Sequence, residues 1–128
     1  MNIPTLREKI QQLYKDNPVE YDHEEFPLFT RFKELLNTGE IRSAEPTGDT
    51  WQAVDWVKEG ILIGFRMGHL TDYSLDDQFR YFDKHTYPLK DIELENKIRQ
   101  VPGGSSIRDG AYVAKGVVIM PPAYINVG

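Results

Sequence analysis

The sequence predicts an α+β fold: a mostly helical N-terminal domain with a small β-hairpin and a connecting segment over residues 1–100, then the first coil of a parallel β-helix over residues 101–128. Three observations carry that expectation. Two stretches place apolar residues at helical spacing, a cluster of turn formers separates two short β-prone runs, and a six-residue period occupies the C-terminal part.

The first helix is expected over residues 4–15, where Leu6, Ile10, Leu13 and Tyr14 fall on one face. Pro4 is tolerated in a first turn, and Asn17-Pro18 stops the run. A second helix follows Asp22, with Leu28, Phe29, Phe32, Leu35 and Leu36 as its stripe, Pro27 near its start and Asn37-Thr38-Gly39 as its stop. Two helices with one apolar stripe each should pack together. Next, Ile41–Glu45 and Thr50–Ala53 flank Pro46-Thr47-Gly48-Asp49, which reads as a hairpin with a four-residue loop. From Val54 to Phe65 the apolar positions favour a helix, although Ile61-Leu62-Ile63 between Gly60 and Gly64 also suits a buried strand.

Between Met67 and Gln100 the pattern weakens. Tyr73, Phe79, Tyr81, Phe82 and Tyr87 share no single period, so this segment is expected to wrap the surface and pin itself by burying rings, with room for a short helix around Ile92 to Ile98. Trp51, Trp56, Phe29, Phe32 and Phe65 read most simply as core, with interface use by a tryptophan as the alternative.

From Ile107 the chain divides into sixes. The first position is Ile107, Val113, Ile119 and Ile125, always aliphatic and β-branched; the fifth is Ala111, Val117 and Ala123, always small. In a parallel β-helix the aliphatic column fills the interior and the small column sits where the cross-section is tight. Gly110, Gly116 and Pro121-Pro122 then fall at corners. Three edge strands of a sandwich with coincidental spacing are the simpler alternative. Three hexads make about one coil and the fourth stops at Gly128, so the expectation is a truncated β-helix whose open end invites pairing.

Composition narrows the function classes. Fifteen basic against twenty acidic residues give a net charge of −5, which argues against nucleic acid or an anionic membrane as primary partner. There is no cysteine, so disulfides, thiolate metal sites and a cysteine nucleophile are absent from these residues. No apolar run suits a signal peptide or a membrane span, and a cytoplasmic location is expected.

Few side chains suggest chemistry. His23, His69 and His85 form no close metal-ligand pair; Asp83 lies two residues from His85, an arrangement that orients a base in some sites and is common on surfaces. Val101-Pro102-Gly103-Gly104-Ser105-Ser106 lacks the lysine of a phosphate loop and reads as a hinge. Arg66 suits a helix end or, alternatively, a substrate or partner. The pairs Glu24-Glu25 and Asp76-Asp77 are adjacent rather than facing, and are expected to be solvated.

The segment Val101–Gly116, followed by Ile119–Gly128, closely resembles tetrahydrodipicolinate N-succinyltransferase. Trp51, Trp56-Val57-Lys58, Gly64-Phe65-Arg66 and Arg80–Lys84 sit where that family has a helical cap domain leading into a left-handed β-helix. The resemblance implies a homotrimeric, cytoplasmic enzyme of diaminopimelate and lysine biosynthesis that moves succinyl from succinyl-coenzyme A to the amine of tetrahydrodipicolinate. It also implies a site between neighbouring β-helices, and a substrate-binding role for Arg99, just before the Val-Pro element. A guanidinium grips a carboxylate with two parallel bonds; a solvated arginine or an ion pair with Glu93 or Glu95 is the alternative. The family's catalytic acids and coenzyme slot match no residue here, so no catalytic residue, bound cofactor or metal is expected in this chain, which by itself should be inactive. A non-catalytic assembly module acting through the open β-helix end is the second hypothesis, and transfer of a different acyl group the third.

Overall fold

The computed structural model describes all 128 residues. Helix α1 spans Ile3–Asp16: the Asn2 side chain caps it by accepting the Thr5 amide at 2.9 Å, and Asn17, with φ at 41°, closes it by donating to the Leu13 carbonyl at 3.1 Å. Helix α2 spans Glu25–Thr38 and ends at Gly39, whose φ of 77° turns the chain away. Helix α3 covers Asp55–Met67, with Asp55 in its first turn and Arg66 in its last, as the helix dipole favours. Both earlier helical expectations, and the helical reading of Val54–Phe65, match these elements to within a few residues.

The three helices bury one face each. Leu6, Ile10 and Leu13 of α1, Phe29, Phe32, Leu35 and Leu36 of α2, and Trp56, Val57, Ile63 and Met67 of α3 join Ile41 and Tyr87 in one apolar cluster. Each such side chain contributes roughly 1.5–3 kcal/mol on burial. Gly60 and Gly64 form a smooth strip on α3, against which the rings of Phe32, Phe29 and Tyr87 lie. Tyr87 packs edge-on to Phe29, with centroids 5.5 Å apart, and its hydroxyl donates to the Ile61 carbonyl at 2.8 Å. Burial pushes that hydroxyl's pKa far up.

Strands β1 (Ala44–Thr47) and β2 (Thr50–Ala53) form the expected hairpin, but with a tighter turn. Thr47 pairs with Thr50, leaving only Gly48-Asp49 as the loop, and Pro46 lies in the strand opposite Trp51. A glycine at φ 61° is what permits a two-residue turn. The hairpin stands away from the helices, so Trp51 is 71% exposed and is not core. Trp56, Phe29 and Phe32 are core as expected, and Phe65 packs at its margin.

The surface wrap expected after Met67 is instead a second hairpin, β3 (Leu70–Asp72) with β4 (Phe82–Lys84). Its tip is shaped by side chains of local acids: Asp72 accepts the Ser74 amide at 2.8 Å, and Asp76 accepts those of Gln78 and Phe79 at 2.7 and 2.8 Å. Tyr87 is buried and Tyr73 partly so, but Phe79, Tyr81 and Phe82 are exposed, contrary to the pinning expected of them. A single 3₁₀ turn, Leu94–Asn96, takes the place of the short helix.

Four two-residue strands end the chain: β5 (Arg99–Gln100), β6 (Ser106–Ile107), β7 (Val118–Ile119) and β8 (Tyr124–Ile125). They pair in parallel, β5 with β7 and β6 with β8, and Ile107 lies opposite Ile125, three sixes later. Ile107, Ala111 and Ile119 form a second apolar cluster, with Val113, Ala123 and Ile125 packed around it. Val117 of the small column faces outward. At Gly110, φ is 99° and an added Cβ would meet Val127 at 2.6 Å, so both conformation and space require glycine. No helix is long and apolar enough to cross a membrane.

Candidate functional site

Arg99 begins β5. Its amide donates to the Val117 carbonyl at 2.9 Å, and its side chain is exposed. The guanidinium forms no ion pair; the four bridges of the chain are Arg31–Glu34, Lys33–Asp109, Arg80–Asp72 and Arg108–Asp83. Glu93, the alternative ion-pair partner, instead accepts the Asn96 amide with its carboxylate in the capping box of the 3₁₀ turn. Arg99 is thus a free cation on a backbone held by strand pairing. Such a group suits an anionic ligand.

A second arginine is the most enclosed cation near this region. Arg108, just after β6, is 13% exposed; it bridges to the Asp83 carboxylate, donates from Nε to the Tyr124 hydroxyl at 2.7 Å, and lies over the rings of Phe65, Tyr87 and Tyr124. Its Nη1 is buried without a partner. One side chain thereby ties α3, β4 and the hexad segment together. Asp83 is committed to this bridge and to the Lys84 amide, so it does not orient His85.

Next to it runs a polar network. Lys33 of α2 donates to the Thr86 carbonyl at 2.7 Å and pairs with Asp109 at 2.8 Å. Asn37 donates to Asp109 at 2.7 Å, while its oxygen accepts Lys90 Nζ at 2.6 Å and the Gly110 amide at 2.8 Å. Burial lowers the Lys90 pKa, opposed by Asp109. These contacts clamp the hexad segment to α2. Nothing in the local sequence marks Arg108, Asn37 or Asp109, because most of their partners lie many residues away.

The remaining candidates have structural occupations. His85 stacks on His69 with centroids 3.8 Å apart and accepts the His69 amide at Nδ1; burial first, then His69, depresses its pKa. Arg66 lies over the Tyr14 ring at 4.4 Å. Glu25 accepts the Asp22 amide. In the Gly103-Gly104 turn, Gly103 packs on Pro121 and Gly104 faces open space. His23 lines an open groove of about 720 Å³ beside α2, with Tyr21, Phe26, Thr30, Arg31 and Glu34. No three His, Asp or Glu side chains converge as metal ligands would.

Comparison with known proteins supplies the context. Residues 5–67 match the family model described as the N-terminal domain of tetrahydrodipicolinate N-succinyltransferase. The 2,3,4,5-tetrahydropyridine-2,6-dicarboxylate N-succinyltransferase of Nitrosomonas eutropha is 37% identical over 100 residues, covering 73% of this chain and 35% of the relative. That of Rickettsia typhi is 40% identical over 98 residues, covering 73% and 35%. The Nitrosospira multiformis protein is 28% identical over 127 residues, covering 97% and 46%. The chain therefore spans between a third and a half of the length of these relatives. It belongs to the tetrahydrodipicolinate N-succinyltransferase family and corresponds to the N-terminal portion of that family's proteins.

Proposed function

We propose that residues 1–100 form the cap domain, and residues 101–128 the first coil of a left-handed hexapeptide-repeat β-helix, of a homotrimeric cytoplasmic enzyme that transfers succinyl from succinyl-coenzyme A to the amine of tetrahydrodipicolinate. The observation that carries this reading is the parallel pairing of Ile107 with Ile125 at an interval of three sixes, within a chain of this family. That interval is the length of one coil of such a repeat.

In this reading Arg99 grips a carboxylate of the substrate. Its lack of an ion pair and its fixed backbone support the role, since a free guanidinium at a strand start offers two parallel donors without first breaking a bridge. The base that takes the amine proton, and the donors that stabilise the oxyanion after attack on the thioester carbonyl, lie outside these 128 residues. The chain supplies binding and positioning.

The test is thiol release from succinyl-coenzyme A with tetrahydrodipicolinate, comparing the 128 residues with a chimera continued past Gly128 by the corresponding coils of the Nitrosomonas eutropha relative. Turnover in the chimera alone supports the reading. Within it, Arg99→Ala should raise KM far more than it lowers kcat. An inactive but folded chimera, or an Arg99→Ala chimera with unchanged KM, overturns the respective part.

A further inference from the structure

The root of the β3–β4 hairpin is closed by a side chain that titrates. Strand pairing sets Leu70 opposite Lys84, so the next rung toward the body joins His69 to His85. A regular antiparallel rung of this kind exchanges two backbone hydrogen bonds. Here one of the two is replaced. His85 donates its amide to the His69 carbonyl at 2.9 Å, but the His69 amide donates to His85 Nδ1 at 3.0 Å, so the imidazole stands in for a backbone carbonyl. An amide donor at Nδ1 selects the neutral tautomer with its proton on Nε2. A second proton has to enter at Nδ1, where it would face the His69 N–H donor to donor. Closing the rung and carrying charge are therefore mutually exclusive states of this ring.

The surroundings reinforce that opposition. The His69 ring stacks on His85 with centroids 3.8 Å apart and planes 24° from parallel, and Phe26 of α2 lies 6.2 Å from it on centroids. Lys84 of β4 and Lys33 of α2 add positive charge, and Lys84 Nζ itself donates to the Gly68 carbonyl at the end of α3. Burial, then His69, then these two lysines disfavour the imidazolium; the His69 carbonyl, which attracts a cation, works against them and is outweighed. The nearest carboxylate in sequence, Asp83, is spent on Arg108 and on the Lys84 amide.

We propose that His85 is a proton-operated latch: neutral, it holds the hairpin root shut; protonated, it favours opening of the root and release of Asp83 from Arg108. The latch is closed above about pH 6.5, the value of a free imidazole, and weakens as pH falls through the lower folded value. Arg108 also bonds the Tyr124 hydroxyl, so acidification loosens the hairpin's tie to the hexad segment, while the Asn37 and Lys33–Asp109 contacts keep that segment on α2.

Hydrogen exchange of the 128-residue chain, read by NMR at pH 7.5 and 5.5 with and without sub-denaturing urea and corrected for intrinsic rates, tests this. Protection of the His69 and His85 amides and of Arg108 Nε–H should fall severalfold at pH 5.5, toward the limit of about tenfold that linkage sets one unit below a free imidazole. The fall should track the titration of the His85 ring. It should be insensitive to urea, as a local opening is, whereas the core amides of Leu35 and Ile63 stay far better protected and respond to urea. His85→Asn supplies Oδ1 as an acceptor that does not titrate, and should abolish the pH response; His69→Gln keeps the latch bond and should retain it. Hairpin amides that exchange only together with the core, protection indifferent to pH, a response that survives in His85→Asn or one lost in His69→Gln each overturn the latch. Arg108 Nε–H that stays protected while the root opens overturns the release of Asp83. The wild-type comparison alone decides the matter if either variant fails to fold.

Discussion

Replacing Gly64 by alanine sets two effects of opposite sign against each other. In a helix interior alanine is favoured over glycine by about 1 kcal/mol, so propensity alone makes Gly64→Ala stabilising. Packing opposes it. A Cβ at this position would stand 2.5 Å from both Cε2 and Cζ of Phe29, and would press on the Tyr87 hydroxyl. Both rings are almost wholly buried and hold one another edge-on, so neither can withdraw freely. Overpacking of this kind costs about 1–3 kcal/mol, and displacing Tyr87 from the Ile61 carbonyl removes about 1 kcal/mol more. The net expectation is destabilisation by roughly 2 kcal/mol, or a Tm lower by about 5–10 °C for a chain of this size. Urea and thermal unfolding followed by circular dichroism measure it. Combining Gly64→Ala with Phe29→Leu should restore part of the loss, because the smaller side chain vacates the contested space. A raised Tm in the single variant, or strictly additive losses in the double, would refute the packing argument.

Other perturbations test separate parts of the structure. Asp109→Ala leaves Lys33 and the Asn37 amide without their acceptor in a partly buried setting, and should cost about 2–3 kcal/mol in urea unfolding, with faster hydrogen exchange at residues 86–90 and 108–110. Asn2→Ala removes the cap of α1 and should cost about 1 kcal/mol, read as a lower Tm. Because the His85 pKa is depressed in the fold, the unfolded chain binds more protons near pH 6; the contribution of this residue is complete above about 6.5 and is lost as pH falls through the folded value. Tm should therefore decline on acidification through this window, and His85→Gln should flatten that decline.

The helices were legible because their stripes and stops are local: Leu6, Ile10 and Leu13 recur at helical spacing, and Asn17 and Gly39 close their helices in the left-handed conformation. The first hairpin was legible in kind but not in register, since Gly48-Asp49 suffices as a turn and Pro46 is accommodated in a strand that nothing covers. The second hairpin escaped detection because its two paired strands are three residues each, and its tip is held by Asp72 and Asp76 side chains rather than by an apolar period. Trp51 shows the limit of judging burial by residue type: its hairpin leaves the core, and the ring goes with it. Of the site, Arg99 stood out only through family resemblance. Arg108 and Asn37 were silent, because their roles arise from side chains that folding alone brings together.

Asn37 also has a consequence for how the molecule comes apart. Its carboxamide faces Lys90, Asp109 and Gly110 at once, beside the Lys33–Asp109 pair, and it joins the large helical cluster to a hexad cluster with only three fully buried members. So small a cluster cannot hold the hexad segment in place against the conformational entropy released on opening. It must melt with the helices through this clamp, as one cooperative unit. Calorimetry should show a single transition whose van't Hoff and calorimetric enthalpies agree, and Asn37→Ala should split off a low-temperature shoulder belonging to the hexads.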